Sequence, residues 1–288
     1  MEYVKEIAEK QGYCFNVEKG SLGSRNIVIG DPEKAKVLFT AHYDTCAVLP
    51  FPNFITPKNF LIYLLYQIAI VIPVLLADGI VGFAFGLLGA HYPSLPVGEL
   101  AFISTYVILF GFLILIAAGP SNKHTANDNT SGVTLLLDIM ASLPEASRDK
   151  VSFVFFDLEE AGLIGSSSYA SKHKDQAKNK LLINFDCVSD GKHILFALNK
   201  NADGFADLLK ECYPSDENFT VEVVQKGVFY PSDQAVFKKG IGVAALKKAK
   251  RTGVLYMDRI HTKKDTVYQE ENIEFLKNGS VRLAEKIA

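Results

Sequence analysis

The chain has 288 residues, which is enough for one large domain or two small ones whose core needs no disulfide bonds. Its 30 Lys and Arg residues nearly balance 32 Asp and Glu residues, so the charge predicts no nucleic-acid partner. The four cysteines are scattered and form no Cys-x-x-Cys pair, which favours reduced thiols in a protein facing the cytosol. Nothing in the sequence indicates an oligomeric state.

A helix and two strands are predicted in the first 50 residues. Residues 1–12 form an amphipathic pattern without the apolar segment of a cleavable signal peptide. Strands are predicted at Ile27–Ile29 and Lys36–Tyr43, and the second strand ends in His42 and Asp44, which lie on one face. A metal-bound imidazole oriented by a carboxylate suits this pattern, and a merely polar strand end is the alternative.

A long apolar insert follows. Between Phe51 and Ser121 only Lys58, Asp78 and Glu99 are charged. Because about 20 apolar residues suffice to cross a bilayer, we predict two transmembrane helices, at about 59–88 and 99–119. The insert, 51–120, would then interrupt a discontinuous α/β domain made of 1–50 and 121–288. A soluble lid or a dimerisation element is the alternative.

The chain after the insert places acidic residues beside regular elements. Asp128 lies in a polar loop before a predicted helix, Gly132–Ser142, that Thr130 or Ser131 could cap. An acid is favourable at that position without any ligand. A buried strand, Val151–Asp157, is followed by Glu159 and Glu160. Two adjacent carboxylates repel each other unless something positive, such as a metal ion, compensates them.

The remaining elements again alternate. Asp186 ends a further buried strand that begins at Leu181, and His261 lies in a late loop. Other predicted elements are strands at His193–Leu198, Phe219–Val224, Gly242–Leu246 and Gly253–Met257, and helices at Ala202–Cys212, from Tyr230 to Phe237, and at Ile273–Ala288. This alternation predicts an α/β fold with a mostly parallel central sheet covered by helices on both faces.

Separate strand ends and loops thus supply two histidines and three acids, a set suited to a pair of zinc ions. The motifs occur in the order His42-Tyr-Asp44, Asn127-Asp128-Asn129-Thr130-Ser131-Gly132, Glu159-Glu160-Ala161-Gly162, Asn184-Phe185-Asp186, Ser232-Asp233 and His261-x-x-x-Asp265-Thr266. This order resembles the co-catalytic zinc aminopeptidases of the aminopeptidase Y and aminopeptidase S type. That family also includes glutamate carboxypeptidases, glutaminyl cyclases and transferrin-receptor-like proteins. The resemblance covers about 36–266 apart from the insert.

The resemblance implies a zinc-exopeptidase-like fold, two Zn²⁺ ions and a role for each matching residue. His42 and Asp186 would hold one ion, Glu160 and His261 the other, and Asp128 would bridge both. Asp44 would orient His42, and Glu159 would act as the general base for the water that the zinc ions activate. Tyr230, just before Ser232, is a candidate donor to the oxyanion, with an ordinary packed tyrosine as the alternative.

The sequence therefore predicts a membrane-anchored zinc aminopeptidase. The alternatives are a carboxypeptidase, a deacylase or a glutaminyl cyclase on the same fold, or a receptor-like protein without activity; the filled ligand positions argue against the last. The bilayer would be contacted through residues 59–119, and the positions of Lys58 and Lys123 predict a cytoplasmic catalytic domain. We expect peptide substrates, and location alone suggests apolar or membrane-derived ones.

Overall fold

The computed structural model describes residues 1–287, apart from the side chains of residues 117 and 118. Within that part of the chain, nine strands form one sheet: β1 (Phe15–Lys19), β2 (Arg25–Ile29), β3 (Val37–His42), β4 (Val151–Phe156), β5 (Leu181–Phe185), β6 (His193–Leu198), β7 (Thr220–Val224), β8 (Lys239–Lys248) and β9 (Leu255–Tyr256). The order across the sheet is β1-β2-β4-β3-β5-β8-β6-β7, and β9 pairs with β8.

The same residues contain nine α-helices, which connect or flank the strands: α1 (Glu2–Lys10), α2 (Phe60–His91), α3 (Val97–Ala118), α4 (Gly132–Ser142), α5 (Glu145–Arg148), α6 (Ile164–Lys172), α7 (Lys174–Asn179), α8 (Ala206–Cys212) and α9 (Glu270–Lys286). Helices α1, α4, α8 and α9 contribute to the hydrophobic core on one side of the sheet. Helices α6 and α7 contribute to a smaller core on the other side.

The centre of the sheet is parallel. Strands β4, β3, β5 and β8 are neighbours in that order and run in one direction, whereas β1–β2, β2–β4, β6–β8 and β8–β9 are antiparallel pairs. Every residue of β3, β4 and β5 is buried. Because both of their faces are covered, these strands are predominantly apolar.

The structure differs from the predicted elements at several boundaries. Strand β1, which was not predicted, forms a hairpin with β2. Strand β8 is a single ten-residue strand that begins at Lys239, three residues before the predicted start, because it pairs with both β5 and β6. The predicted helix after Tyr230 is only a short turn, Asp233–Val236. The closing helix begins at Glu270, and its predicted last residue, Ala288, lies outside the described residues.

The insert forms two long apolar helices, α2 and α3, that pack against each other. Both are long and apolar enough to cross a membrane, and none of their most apolar residues is buried inside the protein. Their bounds, Phe60–His91 and Val97–Ala118, lie within three residues of the predicted ones. The turn between them is the segment Tyr92–Pro96.

The chain leaves the α/β domain and returns to it at one place. Ala47 and Ser121 form an antiparallel bridge. The N–H of Val48 donates to the carbonyl of Pro120 at 2.8 Å, and the N–H of Asn122 donates to the carbonyl of Cys46 at 2.9 Å. The insert is therefore a hairpin whose two roots are hydrogen-bonded to each other.

Candidate metal centre

Three parallel strands end beside one another at the candidate site. Strand β3 lies between β4 and β5, and His42, its last residue, pairs in register with Phe156 of β4. Asp186 directly follows β5, and Glu159 lies three residues beyond the end of β4. Open α/β sheets carry their sites at the carboxyl ends of strands, because the loops that follow parallel strands converge there.

Asp128 reaches the same edge from an irregular loop, Ala126–Ser131, ahead of α4. Two asparagines bind this loop to the segment after β5. The Nδ2 of Asn129 donates to the carbonyl of Phe185 at 3.0 Å, and the Oδ1 of Asn127 accepts the N–H of Ser189 at 2.7 Å. These buried amides fix the position of Asp128 between them, a role that the sequence prediction did not assign to either asparagine.

The predicted cap of α4 is wrong. Neither Thr130 nor Ser131 forms a side-chain cap of α4. The hydroxyl of Ser131 instead donates to the carbonyl of Asn127 at 2.6 Å and accepts the N–H of Val188 at 3.1 Å. It stabilises the loop rather than the helix end, because the backbone of Ser131 is itself helical and its hydroxyl oxygen accepts the N–H of Val188.

Asp265 is a second residue whose role the sequence prediction missed. Its two carboxylate oxygens accept the backbone N–H groups of Asn127 and Asp128, both at 2.9 Å. Its position four residues after His261, in the motif His261-x-x-x-Asp265-Thr266, could have indicated that Asp265 belongs to the site. Only the folded chain, however, brings it to the loop that carries Asp128.

The structure brings all five predicted ligand residues together in two overlapping groups. In the first group the Nε2 of His42 lies 3.2 Å from Asp128 Oδ1 and 3.5 Å from Asp186 Oδ1. In the second group the Nε2 of His261 lies 3.2 Å from Asp128 Oδ2 and 3.2 Å from Glu160 Oε2. Asp128 thus presents one carboxylate oxygen to each imidazole.

These spacings fit metal ions better than hydrogen bonds alone. A neutral imidazole carries at most one N–H at Nε2, so His42 cannot donate well to Asp128 and Asp186 together. Two ligand atoms of one tetrahedral zinc ion stand roughly 3.3–3.6 Å apart, given bond lengths of about 2.0–2.2 Å. The buried Oε1 of Glu160 has no hydrogen-bond partner among the described residues. The donor set therefore suits zinc, and each of the two groups could hold a metal ion.

Cys46 is a further neighbour of the second group. Its Sγ lies with ligand atoms of Asp128, Glu160 and His261 in a cluster whose atoms are all within 4.8 Å of one another. Burial, reinforced by the charges of Glu160 and Asp128, raises the pKa of the Cys46 thiol. The sequence prediction treated Cys46 only as a reduced thiol, and its position two residues after Asp44 was the signal that could have drawn attention to it.

Asp44 connects the imidazole to the two glutamates. Its Oδ1 lies 3.4 Å from the Nδ1 of His42. The same carboxylate accepts the backbone N–H of Glu159 through Oδ1 and that of Glu160 through Oδ2, both at 3.1 Å. Asp44 therefore holds the start of the loop after β4, in addition to facing His42 as predicted.

The crowded charges shift the acid–base properties of the site. Burial raises the pKa of Glu159 well above its usual range, and the neighbouring acids Asp233 and Asp186 add to that effect. Burial alone would lower the pKa of His42, but the carboxylates beside it outweigh burial and raise that pKa. In the absence of ions the cluster therefore holds protons, which bound cations would displace.

Tyr230 and Asp233 lie close to this cluster. The hydroxyl of Tyr230 donates to the backbone carbonyl of Asp186 at 2.9 Å, so in this structure it has a protein partner. Asp233 is fully buried, neither of its carboxylate oxygens has a hydrogen-bond partner among the described residues, and burial raises its pKa to about 7.

A cavity of about 250 Å³ opens onto the cluster. Its lining includes the five predicted ligand residues and Glu159. The other lining residues are Asn53, Ile55, Gly162, Cys187, Tyr230, Pro231 and Ile260. Arg259, the arginine nearest to His261 in sequence, does not line this cavity; its Nη1 donates to both carboxylate oxygens of Asp190 at 3.0 and 3.1 Å.

Comparisons with known proteins agree with this geometry. The model of peptidase family M28 matches residues 85–284, which include four of the five predicted ligands but not His42. A probable leucine aminopeptidase 2 of Aspergillus fumigatus is 31% identical over 102 residues, which are 34% of this chain and 20% of that protein. This chain therefore spans only about a fifth of the length of the curated relatives that it matches.

Solved structures share the fold at low sequence identity. A Zn-dependent exopeptidase from Parabacteroides distasonis has a TM-score of 0.59 at 15% identity, covering 99% of this chain and 88% of its own. A glutaminyl cyclase from Porphyromonas gingivalis has a TM-score of 0.58 at 14% identity, covering 100% of this chain and 88% of its own. The predicted α/β fold, similar to that of zinc exopeptidases, is thereby confirmed.

An α/β sheet with histidines and carboxylates gathered at the ends of its parallel strands is typical of metallopeptidases. The chain belongs to peptidase family M28. The family resemblance predicted from the order of the motifs is confirmed.

Proposed function

We propose that the chain is a zinc-dependent exopeptidase and, on the order of its motifs, an aminopeptidase that removes residues from the free N-terminus of peptides. The observation that carries this proposal is the carboxylate of Asp128, whose two oxygens each lie 3.2 Å from the Nε2 of a different histidine. A carboxylate placed in this way between two imidazoles supports a pair of ions that would share it.

In this proposal His42 and Asp186 would hold one ion, His261 and Glu160 would hold the other, and Asp128 would contribute to both. Zinc bound there would supply a Lewis acid, which lowers the pKa of a coordinated water to about 7. Glu159 accepts a proton from the attacking water and returns it to the leaving amine. The raised pKa of Glu159 suits a group that must both accept and release a proton near neutral pH.

Asp44 and Tyr230 have supporting roles in this proposal. Asp44 keeps His42 oriented and holds the backbone of both glutamates. Tyr230 lines the same cavity, and its hydroxyl, which donates to the carbonyl of Asp186 in this structure, would donate to a developing oxyanion instead.

The same fold could carry other reactions. A carboxypeptidase needs a cation for the substrate carboxylate, and no arginine or lysine is among the described residues that line the cavity. A glutaminyl cyclase remains the second candidate because one protein of similar fold is a glutaminyl cyclase. A deacylase would use the same metal centre on a different acyl group.

We also propose that α2 and α3 anchor the enzyme in a membrane. The support is that no residue of α2 is buried, although its side chains are almost all apolar. Exposed apolar surface of this extent is covered in soluble proteins only by a large partner. Both roots of the hairpin lie on the same side, and Lys58 and Lys123 flank them, which favours a cytoplasmic catalytic domain.

The test uses two adjacent glutamates as a matched pair. Glu159→Gln is expected to retain zinc and to lose turnover of an aminoacyl reporter by about 10²–10⁴-fold, since it removes the proton acceptor. Glu160→Gln is expected to lose both zinc and turnover. Zinc content of the purified full-length protein and kcat on the reporter are the measurements; substantial turnover in Glu159→Gln would sink the assignment of the base.

The choice among reactions is tested on the wild-type enzyme. Three substrates distinguish them: an aminoacyl reporter, an N-blocked peptide with a free C-terminus, and a peptide with an N-terminal glutamine. Release of the N-terminal residue is expected to be the fastest reaction. Cyclisation of the glutamine peptide without release of other residues would instead favour the second candidate.

A further inference from the structure

Cys46 lies beside one of the two histidine groups of the candidate metal centre. Its Sγ and the ligand atoms of Asp128, Glu160 and His261 are all within 4.8 Å of one another. Only 6% of the surface of Cys46 is exposed. The thiol is therefore shielded from solvent and is next to the three residues that would hold one of the ions.

The roots of the apolar hairpin fix the position of Cys46. Its carbonyl accepts the N–H of Asn122 at 2.9 Å, next to the bridge that joins the two roots. The side-chain amide of Asn122 donates in turn to the carbonyl of Thr262 at 3.2 Å. One asparagine thus connects the backbone of Cys46 to the loop that carries His261, so the sulfur and the imidazole are held beside each other.

The two groups of ligand atoms differ in number once the sulfur is counted. The first consists of His42, Asp128 and Asp186, and the second consists of Cys46, Asp128, Glu160 and His261. Zinc sites with four protein ligands are closed and serve structure, whereas catalytic zinc sites have three protein ligands and leave the fourth position to water or substrate. By this rule the second group is a closed site and the first is an open one.

The size and chemistry of the sulfur also suit zinc. A thiolate binds zinc at about 2.3 Å, so the sulfur and an oxygen ligand of one tetrahedral ion stand roughly 3.6 Å apart. The atoms of the second group, which are within 4.8 Å of one another, need to approach by roughly 1 Å at most to reach such spacings. A thiol that binds zinc loses its proton, which would be released to solvent as the ion enters.

We propose that Cys46 is the fourth ligand of the ion that Asp128, Glu160 and His261 hold, and that this ion is structural. Its four protein ligands leave no position for a water molecule. The position open to the attacking water is then on the ion of the His42 group. This inference rests on the proposed metal centre and not on the reaction that the enzyme catalyses.

Cobalt provides a direct test, because a thiolate bound to Co²⁺ gives an intense charge-transfer band in the near ultraviolet that oxygen and nitrogen ligands do not give. The metal-free full-length protein is titrated with Co²⁺ alone. The band should appear in the wild type, be lost in Cys46→Ala and persist in Cys187→Ala. Cys187 is the matched control, since it is also buried and lines the cavity at the cluster. Cobalt that binds to the wild type without the band overturns the inference, as does a band that persists in Cys46→Ala.

The rate of zinc release measures whether the second group is closed. When the zinc-loaded protein is mixed with a chromogenic chelator, one ion should leave quickly and the other slowly. Loss of a residue that merely supports a zinc ligand lowers affinity by about 10–100-fold, so loss of a direct ligand should make the slow phase at least about tenfold faster in Cys46→Ala. The slow phase should be unchanged in Cys187→Ala. Equal rates in the wild type and Cys46→Ala would contradict the proposed ligand.

A second variant and the wild type itself keep the test independent of folding and of turnover. Cys46→Ser nearly preserves the shape of the side chain, and it too should lack the band. A wild type that shows the band but releases no N-terminal residue overturns only the exopeptidase function. A folded wild type that binds neither Co²⁺ nor Zn²⁺ overturns the metal centre together with this inference.

Discussion

At the scale of single residues, the candidate centre depends on how a few carboxylates divide their oxygens. Asp128 offers one oxygen to each histidine, and Asp265 offers both of its oxygens to the backbone of the Asp128 loop. Asp44 likewise binds two successive N–H groups, those of Glu159 and Glu160. Each acid thus has two partners, so that removing one acid disturbs two elements.

Asp44 allows a direct test of this arrangement. In Asp44→Asn one carboxylate oxygen becomes an amide NH₂, which cannot accept the N–H of a glutamate and repels it. We expect kcat to fall by about 10–100-fold, the usual effect of losing a group that orients a metal ligand. Steady-state kinetics and zinc content measure it. Asp157→Asn, which changes another acid after β4 that accepts the N–H of Arg25, is the control; equal losses in both variants would contradict a special role for Asp44.

At the scale of elements, the helices that cover the sheet pack closely against one another. Helix α9 packs against α4 and α8, and Gly279 lies at its contact with Tyr213. A Cβ on Gly279 would stand 2.1 Å from the ring of Tyr213. That ring is fully buried, and its hydroxyl is 2.8 Å from the Oγ of Ser280, so it cannot easily move away.

Gly279→Ala is therefore expected to destabilise the protein even though alanine favours helices. Overpacking of this kind costs about 1–3 kcal/mol in the free energy of unfolding. Thermal unfolding of the purified protein should show a Tm lower by roughly 2 °C or more. Asn278→Ala, at the exposed neighbouring position of α9, should change the Tm little, and an equal Tm for both variants would show that Tyr213 yields to the added methyl group.

At the scale of the whole molecule, the apolar hairpin separates two parts of the site in sequence. His42 and Asp128 are 86 positions apart, yet the bridge between Ala47 and Ser121 returns the chain to its starting point. The relative positions of these two candidate ligands therefore do not depend on the length of α2 and α3. The ends of the insert nevertheless contact the loop that carries His261. The N–H of Leu49 donates to the carbonyl of His261, and the side-chain amide of Asn122 donates to the carbonyl of Thr262.

The proposed topology is tested by labelling cysteines from one side of the membrane. Ser94 is exposed in the turn between α2 and α3, and Cys14 is an exposed native cysteine of the α/β domain. In intact spheroplasts an impermeant maleimide should label Ser94→Cys in a Cys14→Ser background and should leave Cys14 of the wild type unlabelled until lysis. Labelling of Cys14 alone would reverse the orientation. If neither Cys14 nor Ser94→Cys reacts until lysis, a soluble lid or a dimerisation element is favoured instead.

The central strands and the candidate ligands could be predicted because their signals are local. An apolar run of strand length followed by a polar residue marks the end of β3, β4 or β5, wherever that strand lies in the fold. The hairpin helices were equally predictable, since length and apolar composition alone define them. Strand β1 and the full length of β8 were not, because pairing with neighbouring strands rather than local composition decides them.

The sequence by itself determined the family, the order of the strands and helices that carry the site, and the identity of the acids and histidines available to it. Only the tertiary structure decided that Asp128 faces both His42 and His261, that Asp265 and Asn127 support its loop, and that Asn53 and Ile55 line the cavity. The physical reason is that residue type and spacing specify what a side chain can bind, whereas its partners depend on contacts between segments far apart in the chain.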